Sequence, residues 1–136
     1  MKAKILIVED EGILAMGLKR KLDKLGYEII GLATTGQEAI DLAGINIPDL
    51  VLMDIVLRGE MDGIETAKEL IRMYSTAIIY ITAYSDDEII KRVMLTKPYA
   101  YIVKPLRESE LKANIDIALY KHSQSFREGI CKNETS

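Results

Sequence analysis

The chain contains one cysteine and one histidine in 136 residues, and its net charge is only −3. A single thiol, Cys131, excludes an internal disulfide and a cysteine-rich metal site, and its position near the C-terminus reads as incidental. No uninterrupted apolar stretch approaches the roughly 20 residues of a membrane span, and the first residues lack the apolar segment of a signal peptide. A cytoplasmic protein that does not enter a membrane is therefore expected. Without a basic excess, nothing points to a nucleic acid or an anionic lipid surface as partner. There is no Gly-x-Gly-x-x-Gly after the first apolar run. Glu9-Asp10-Glu11-Gly12 stands there instead and would repel a pyrophosphate, which removes dinucleotide binding. Internal repeats and low-complexity blocks are also missing.

What is present is an ordinary globular composition, 49% hydrophobic and 29% charged, in a length that suits one domain with a real core. Four polar residues each stand at the end of a short apolar run. Asp10 follows Lys4 to Glu9, Asp54 follows Leu50 to Met53, Thr82 follows Ala77 to Ile81, and Lys104 follows Tyr99 to Val103. Continuous Val/Ile/Leu runs of this kind are strands buried on both faces, the mark of a parallel sheet. The carboxyl ends of parallel strands share one edge, where open α/β sheets place their chemistry. Two carboxylates, a hydroxyl and an ammonium gathered there can hold a divalent cation and a phosphoryl group.

Helical segments alternate with the strands. The first carries Leu14, Leu18, Leu22 and Leu25 and stops at Gly26, a residue that tolerates the left-handed C-terminal position. A second strand, Tyr27 to Ala33, leads to Thr35-Gly36-Gln37-Glu38, a capping box for a helix reaching about Ala43. The third helix opens at Asp62 with Glu65 three residues on, and should bury Ile64, Ala67, Ile71 and Tyr74. The fourth opens at Ser85 and carries Ile89, Ile90, Val93 and Met94. The fifth runs from about Arg107 to Tyr120 with Leu111, Ile115, Ala118 and Leu119 on one side. This (βα)5 order predicts a doubly wound, five-stranded parallel sheet with helices on both faces. Residues 1–122 form the domain, and residues 123–136, without sustained periodicity, read as a C-terminal tail or linker. His122 reads as a helix-end or surface residue, favourable to the dipole if protonated. Tyr80 and Tyr99 read as packing residues.

With Glu9-Asp10 closing the first strand, Asp54 the third, Thr82 the fourth and Lys104-Pro105 the fifth, the chain resembles the receiver domain of two-component response regulators, including the single-domain chemotaxis regulators. The resemblance covers about residues 3–121. It implies the flavodoxin-like receiver fold and a phosphorylation-dependent switch in a phosphorelay, not an enzyme turning over small molecules. Asp54 matches the phosphoacceptor, whose carboxylate attacks a phosphohistidine on a sensor histidine kinase or phosphotransfer protein. Asp10 matches the main Mg2+ ligand, and Glu9 the acid that acts through a coordinated water. The carbonyl of Val56 completes the set, and Mn2+ can substitute. The metal cancels repulsion between an anionic nucleophile and an anionic phosphoryl group. Lys104 supplies a point charge to a phosphoryl oxygen. Thr82 supplies a hydroxyl whose rotation is the switch step, and Tyr101 matches the aromatic ring that moves with it. Lys104-Pro105 matches a cis peptide position. Output is implied through the face of the fourth helix, fifth strand and fifth helix to a downstream effector, with a phosphorylation-linked homodimer among the outcomes.

The chain departs from the family pattern after Asp54. Val56-Leu57-Arg58-Gly59-Glu60 precedes Met61-Asp62-Gly63, lacking a common proline and running one residue longer. Val56 and Tyr84 occupy positions that carry polar groups in fast-hydrolysing relatives, so a long-lived phosphorylated state is expected. Valine at position 56 also argues against an aspartate-nucleophile phosphatase, which needs an acid two residues after its nucleophile. A receiver that has lost phosphorylation typically lacks one of the acids or the lysine, and here all are present.

Overall fold

The structure is a computed structural model that describes residues 2–83 and 86–135, with side chains as far as residue 124. Five strands form one parallel sheet: β1 (Lys4–Val8), β2 (Glu28–Ala33), β3 (Leu50–Asp54), β4 (Ala77–Thr82) and β5 (Ala100–Val103). Between and after them lie α1 (Gly12–Lys24), α2 (Gly36–Ile45), α3 (Gly63–Met73), α4 (Asp87–Met94) and α5 (Glu108–Thr135). The strand order β2-β1-β3-β4-β5 is that of the flavodoxin-like doubly wound sheet.

The alternation of strand side chains divides the core in two. Ile5, Ile7, Leu50, Leu52, Ile79 and Ile81 face α1 and α5, meeting Leu18, Leu22, Leu111 and Ile115. Leu6, Val8, Val51, Met53, Ile78 and Tyr80 face α2, α3 and α4, meeting Ala39, Ala43, Ile64, Ala67 and Val93. All of β3 and β4 is buried, which is why these strands carry no alternation of polar residues. Among the described residues, no helix is long and apolar enough to cross a membrane.

Several helix details differ from the sequence expectation. In α1 the buried stripe is Ala15, Leu18 and Leu22, while Leu14 is exposed at the rim. In α3 the capping box of Asp62 and Glu65 forms as expected, but Leu70 is buried and Ile71 is exposed. Ala67 lies against the sheet and sets the centre of that face, turning Ile71 to its margin. The start of α4 is capped by Asp86, whose side chain accepts from the Ile89 amide, instead of by Ser85, which lies outside the described residues. Only Val93 of α4 is buried, and Ile90 and Met94 face outward. The last helix does not stop near Tyr120 but continues to Thr135. Ser123 to Glu128 contains no helix breaker, and extending an existing helix costs far less than starting one.

The two neighbouring positions in α3 separate these readings. Leu70→Ala should cost about 2–5 kcal/mol in urea unfolding, because it leaves a cavity in the core. Ile71→Ala should cost less than about 1 kcal/mol.

Candidate functional site

The C-terminal edge of the sheet gathers the polar strand-end residues. Glu9 and Asp10 follow β1, Asp54 ends β3, Thr82 ends β4, and Lys104 follows β5. Backbone bonds fix these ends: the Glu9 amide donates to the Ala33 carbonyl at 2.9 Å, and the Lys104 amide to the Thr82 carbonyl at 2.8 Å. The Lys104–Pro105 peptide bond is cis. Beyond β3, the amide of Gly63 donates to the Ile55 carbonyl at 2.7 Å, seating the start of α3 on the strand end. A Cβ at Gly63 would lie 2.0 Å from the Asp54 carbonyl oxygen, so only glycine permits this approach.

Lys104 joins two of the acids, its Nζ lying 3.0 Å from Glu9 Oε2 and 3.2 Å from Asp54 Oδ2. The other oxygens of these carboxylates accept from the chain: Glu9 Oε1 from the Glu11 amide and Asp54 Oδ1 from the Val56 amide, each at 3.3 Å. Glu9, Asp10 and Asp54 each place one carboxylate oxygen within 4.8 Å of the others. A cleft of about 180 Å³ opens onto Asp10 and Asp54, lined also by Glu11, Val56, Ala83 and Lys104. Three hard anionic oxygens beside a backbone loop suit Mg2+ or Mn2+ and not a thiophilic metal.

The electrostatics reflect crowded acids in a buried place. Burial first, and then the neighbouring Asp54 carboxylate, push Glu9 up to about 7, against the lowering effect of Lys104. For Lys104, burial alone would favour the neutral amine, but Glu9 and Asp54 outweigh it and raise its affinity for a proton.

The remaining expected site residues stand in different places. Thr82 is fully buried and does not line the cleft. Tyr101 pairs in register with Tyr80 and packs, half-buried, on the α4 side of the sheet. Val56 stands at the cleft mouth, 48% exposed. Tyr84 lies outside the described residues.

Sequence reasoning missed several contacts, among them three that tie α4, β4 and α5 to their neighbours. Arg92 of α4 forms an ion pair with Asp62 at 2.7 Å, tying α4 to the residue that caps α3. The Tyr80 hydroxyl lies 2.8 Å from Thr96 Oγ1, just after α4. His122, expected near a helix end, sits within α5 between Ser75 Oγ at 3.2 Å and the Tyr99 hydroxyl at 3.4 Å. None of these pairs has a local sequence signature, because each joins residues from separate elements.

The raised Glu9 carboxyl carries a linkage consequence. A carboxyl that titrates near 4.5 when unfolded and near 7 when folded makes the fold bind protons between those values. Its contribution is therefore fully present below about pH 4.5 and is lost as pH rises through about 7. In EDTA, the melting temperature of Glu9→Gln minus that of the parent should increase across this window. A difference independent of pH would contradict the assignment.

Comparison with known proteins adds a second line of observation. Residues 5–116 match the family described as the response regulator receiver domain. The chain is 39% identical over 116 residues to the transcriptional regulatory protein PdtaR of Mycobacterium tuberculosis, covering 85% of this chain and 56% of PdtaR. It is 33% identical over 121 residues to the phyllosphere-induced regulator PhyR of Methylorubrum extorquens, covering 88% of this chain and 45% of PhyR. The chain thus spans about half the length of these curated relatives. Among solved structures, the signal receiver domain of a modulated diguanylate cyclase from Desulfovibrio desulfuricans superposes with a TM-score of 0.88 at 35% identity, covering 92% of this chain and 99% of that one.

Proposed function

Since the chain belongs to the response regulator receiver domain family, we propose that it is a phosphorylation-controlled switch that accepts a phosphoryl group on Asp54. The observation that supports this most is the placement of Asp54 between an ammonium 3.2 Å away and two further carboxylates within 4.8 Å. That arrangement can hold an anionic nucleophile, a divalent cation and a transferred phosphoryl group at one strand end.

In this reading Glu9, Asp10 and Asp54, with the Val56 carbonyl, hold Mg2+, or Mn2+ in its place. The bound cation supplies charge neutralisation between the nucleophile and the incoming phosphoryl group. An Asp54 carboxylate oxygen attacks the phosphorus of a phosphohistidine on a histidine kinase or phosphotransfer protein. The P–N bond breaks, its electron pair returns to the imidazole, and an acyl phosphate forms. Lys104 shifts from its carboxylate partners to a phosphoryl oxygen, and the Thr82 hydroxyl turns to donate to another. Tyr101 follows on the α4 side.

The output face is α4, β5 and α5. With one buried apolar residue and polar ties through Arg92 and Thr96, α4 needs only a modest bias to move. Residues 1–122 act as the receiver, and the helical continuation beyond them acts as a connector to an effector or to a second copy.

Incubation with acetyl phosphate and Mg2+ should add one phosphoryl mass to the parent and none to Asp54→Asn. The same modification in the variant would overturn the assignment.

The phosphorylated state should also be slow to hydrolyse. The Val56 side chain offers no group to orient a water opposite Asp54, and from the sequence the bulky ring of Tyr84 shields the approach. A positioned water is a proximity advantage, and about 1.4 kcal/mol of it is a tenfold rate. Phosphate release from the Val56→Asn, Tyr84→Glu double variant should be about tenfold faster or more. A parent half-life of seconds, or no acceleration, would show that these side chains do not set the lifetime.

A further inference from the structure

Among the described residues, two cations approach the acidic cluster, from opposite sides. Lys104 reaches Glu9 and Asp54 from the β5 side at 3.0 and 3.2 Å. Arg58 reaches Asp10, the third acid, with its Nε 3.9 Å from Oδ2. The Arg58 side chain is 80% exposed, while that of Asp10 is 18% exposed. What holds this arginine is its backbone. Arg58 pairs with Thr35 in an isolated parallel bridge, just beyond the end of β2. The sheet order places β1 between β2 and β3. The β3–α3 loop must therefore cross the end of β1, where Asp10 lies, to make that bridge. Gly59, at φ +99°, then turns the chain back toward α3. The loop delivers a permanent positive charge to one designated carboxylate.

We infer that Arg58 is a built-in competitor for the divalent cation, partnering Asp10 when no metal is bound and withdrawing when metal enters. The inference rests on the metal reading of Glu9, Asp10 and Asp54 given above. A long, exposed ion pair of this kind adds little to stability. That weakness suits the role, because a tight buried pair would block the site instead of tuning it. A guanidinium keeps its charge at every physiological pH, so any pH dependence of metal binding comes from the acids and not from this side chain. Metal entry must displace it from Asp10, and because the Thr35 bridge keeps its backbone nearby, its charge lowers metal affinity through repulsion that salt screens. Arg58 thus acts as a positioning residue that sets how much metal is needed before phosphorylation can proceed.

The test is Mn2+ binding to the full chain, followed by the loss of the free-ion electron paramagnetic resonance signal. Arg58→Gln should bind Mn2+ about three- to tenfold more tightly than the parent at low ionic strength, with the gap closing as salt rises. Arg58→Lys keeps the charge and should stay near the parent. Arg72→Gln removes a charge from the last turn of α3 and should leave binding unchanged, which separates a local effect from net charge. Equal affinity in Arg58→Gln and the parent would overturn the inference while leaving the metal site intact, as would weaker binding in the variant. Failure of the parent itself to bind Mn2+ would instead remove the metal reading, and the inference with it.

Discussion

Three carboxylates whose oxygens approach within 4.8 Å repel one another, and two of them are buried at the end of a sheet that cannot spread to separate them. Lys104 makes the arrangement tolerable. Its ammonium spans Glu9 and Asp54, and its position follows from β5 pairing with β4, since the Lys104 amide is bonded to the Thr82 carbonyl. The sheet register therefore holds the charges together, and the charges in turn demand that register. Burial, and then the Asp54 carboxylate, raise the proton affinity of Glu9 against the lowering effect of Lys104. Three carboxylates against one lysine make this edge one that could hold a cation.

The strands and their order along the chain were legible in the sequence because β3 and β4 are buried on every residue, so their apolar runs admit no other reading. The strand-end residues were legible for the same reason: a polar residue at the limit of such a run has to sit at the sheet edge. Helix faces were less legible. A stripe at spacings of three and four fits two adjacent phases, and the choice between Leu70 and Ile71 depends on how α3 seats against β3 at Gly63. The end of α5 was not legible, because weak periodicity is compatible with both a loop and an outward helix. Contacts such as Arg58 with Asp10, or Arg92 with Asp62, arise from the relative placement of loops and helices and leave no pattern in the chain.

The α4 and α5 helices are held by different kinds of force. The α5 helix buries Leu111, Ile115 and Ala118 and is fixed by apolar area. The α4 helix buries Val93 alone and is positioned by Arg92 with Asp62 and by Thr96 with Tyr80. Apolar packing resists displacement over a wide range of geometry, whereas a hydrogen bond is lost within about an ångström. A helix fixed mainly by directional contacts can pass between two discrete positions without disturbing the core beneath it.

The β3–α3 loop is pinned at its base by the Gly63 amide on the Ile55 carbonyl and at its far side by the Thr35–Arg58 bridge. Between these clamps the backbone forms a closed ring whose circumference has no influence on where Asp54 or the first turn of α3 lies. Gly59, at φ +99°, turns the chain within this ring, and closing a ring one residue longer costs only a fraction of a kcal/mol. The segment behaves as an interchangeable cassette. Its length and side chains can be rewritten without resetting the register of the strand that carries Asp54.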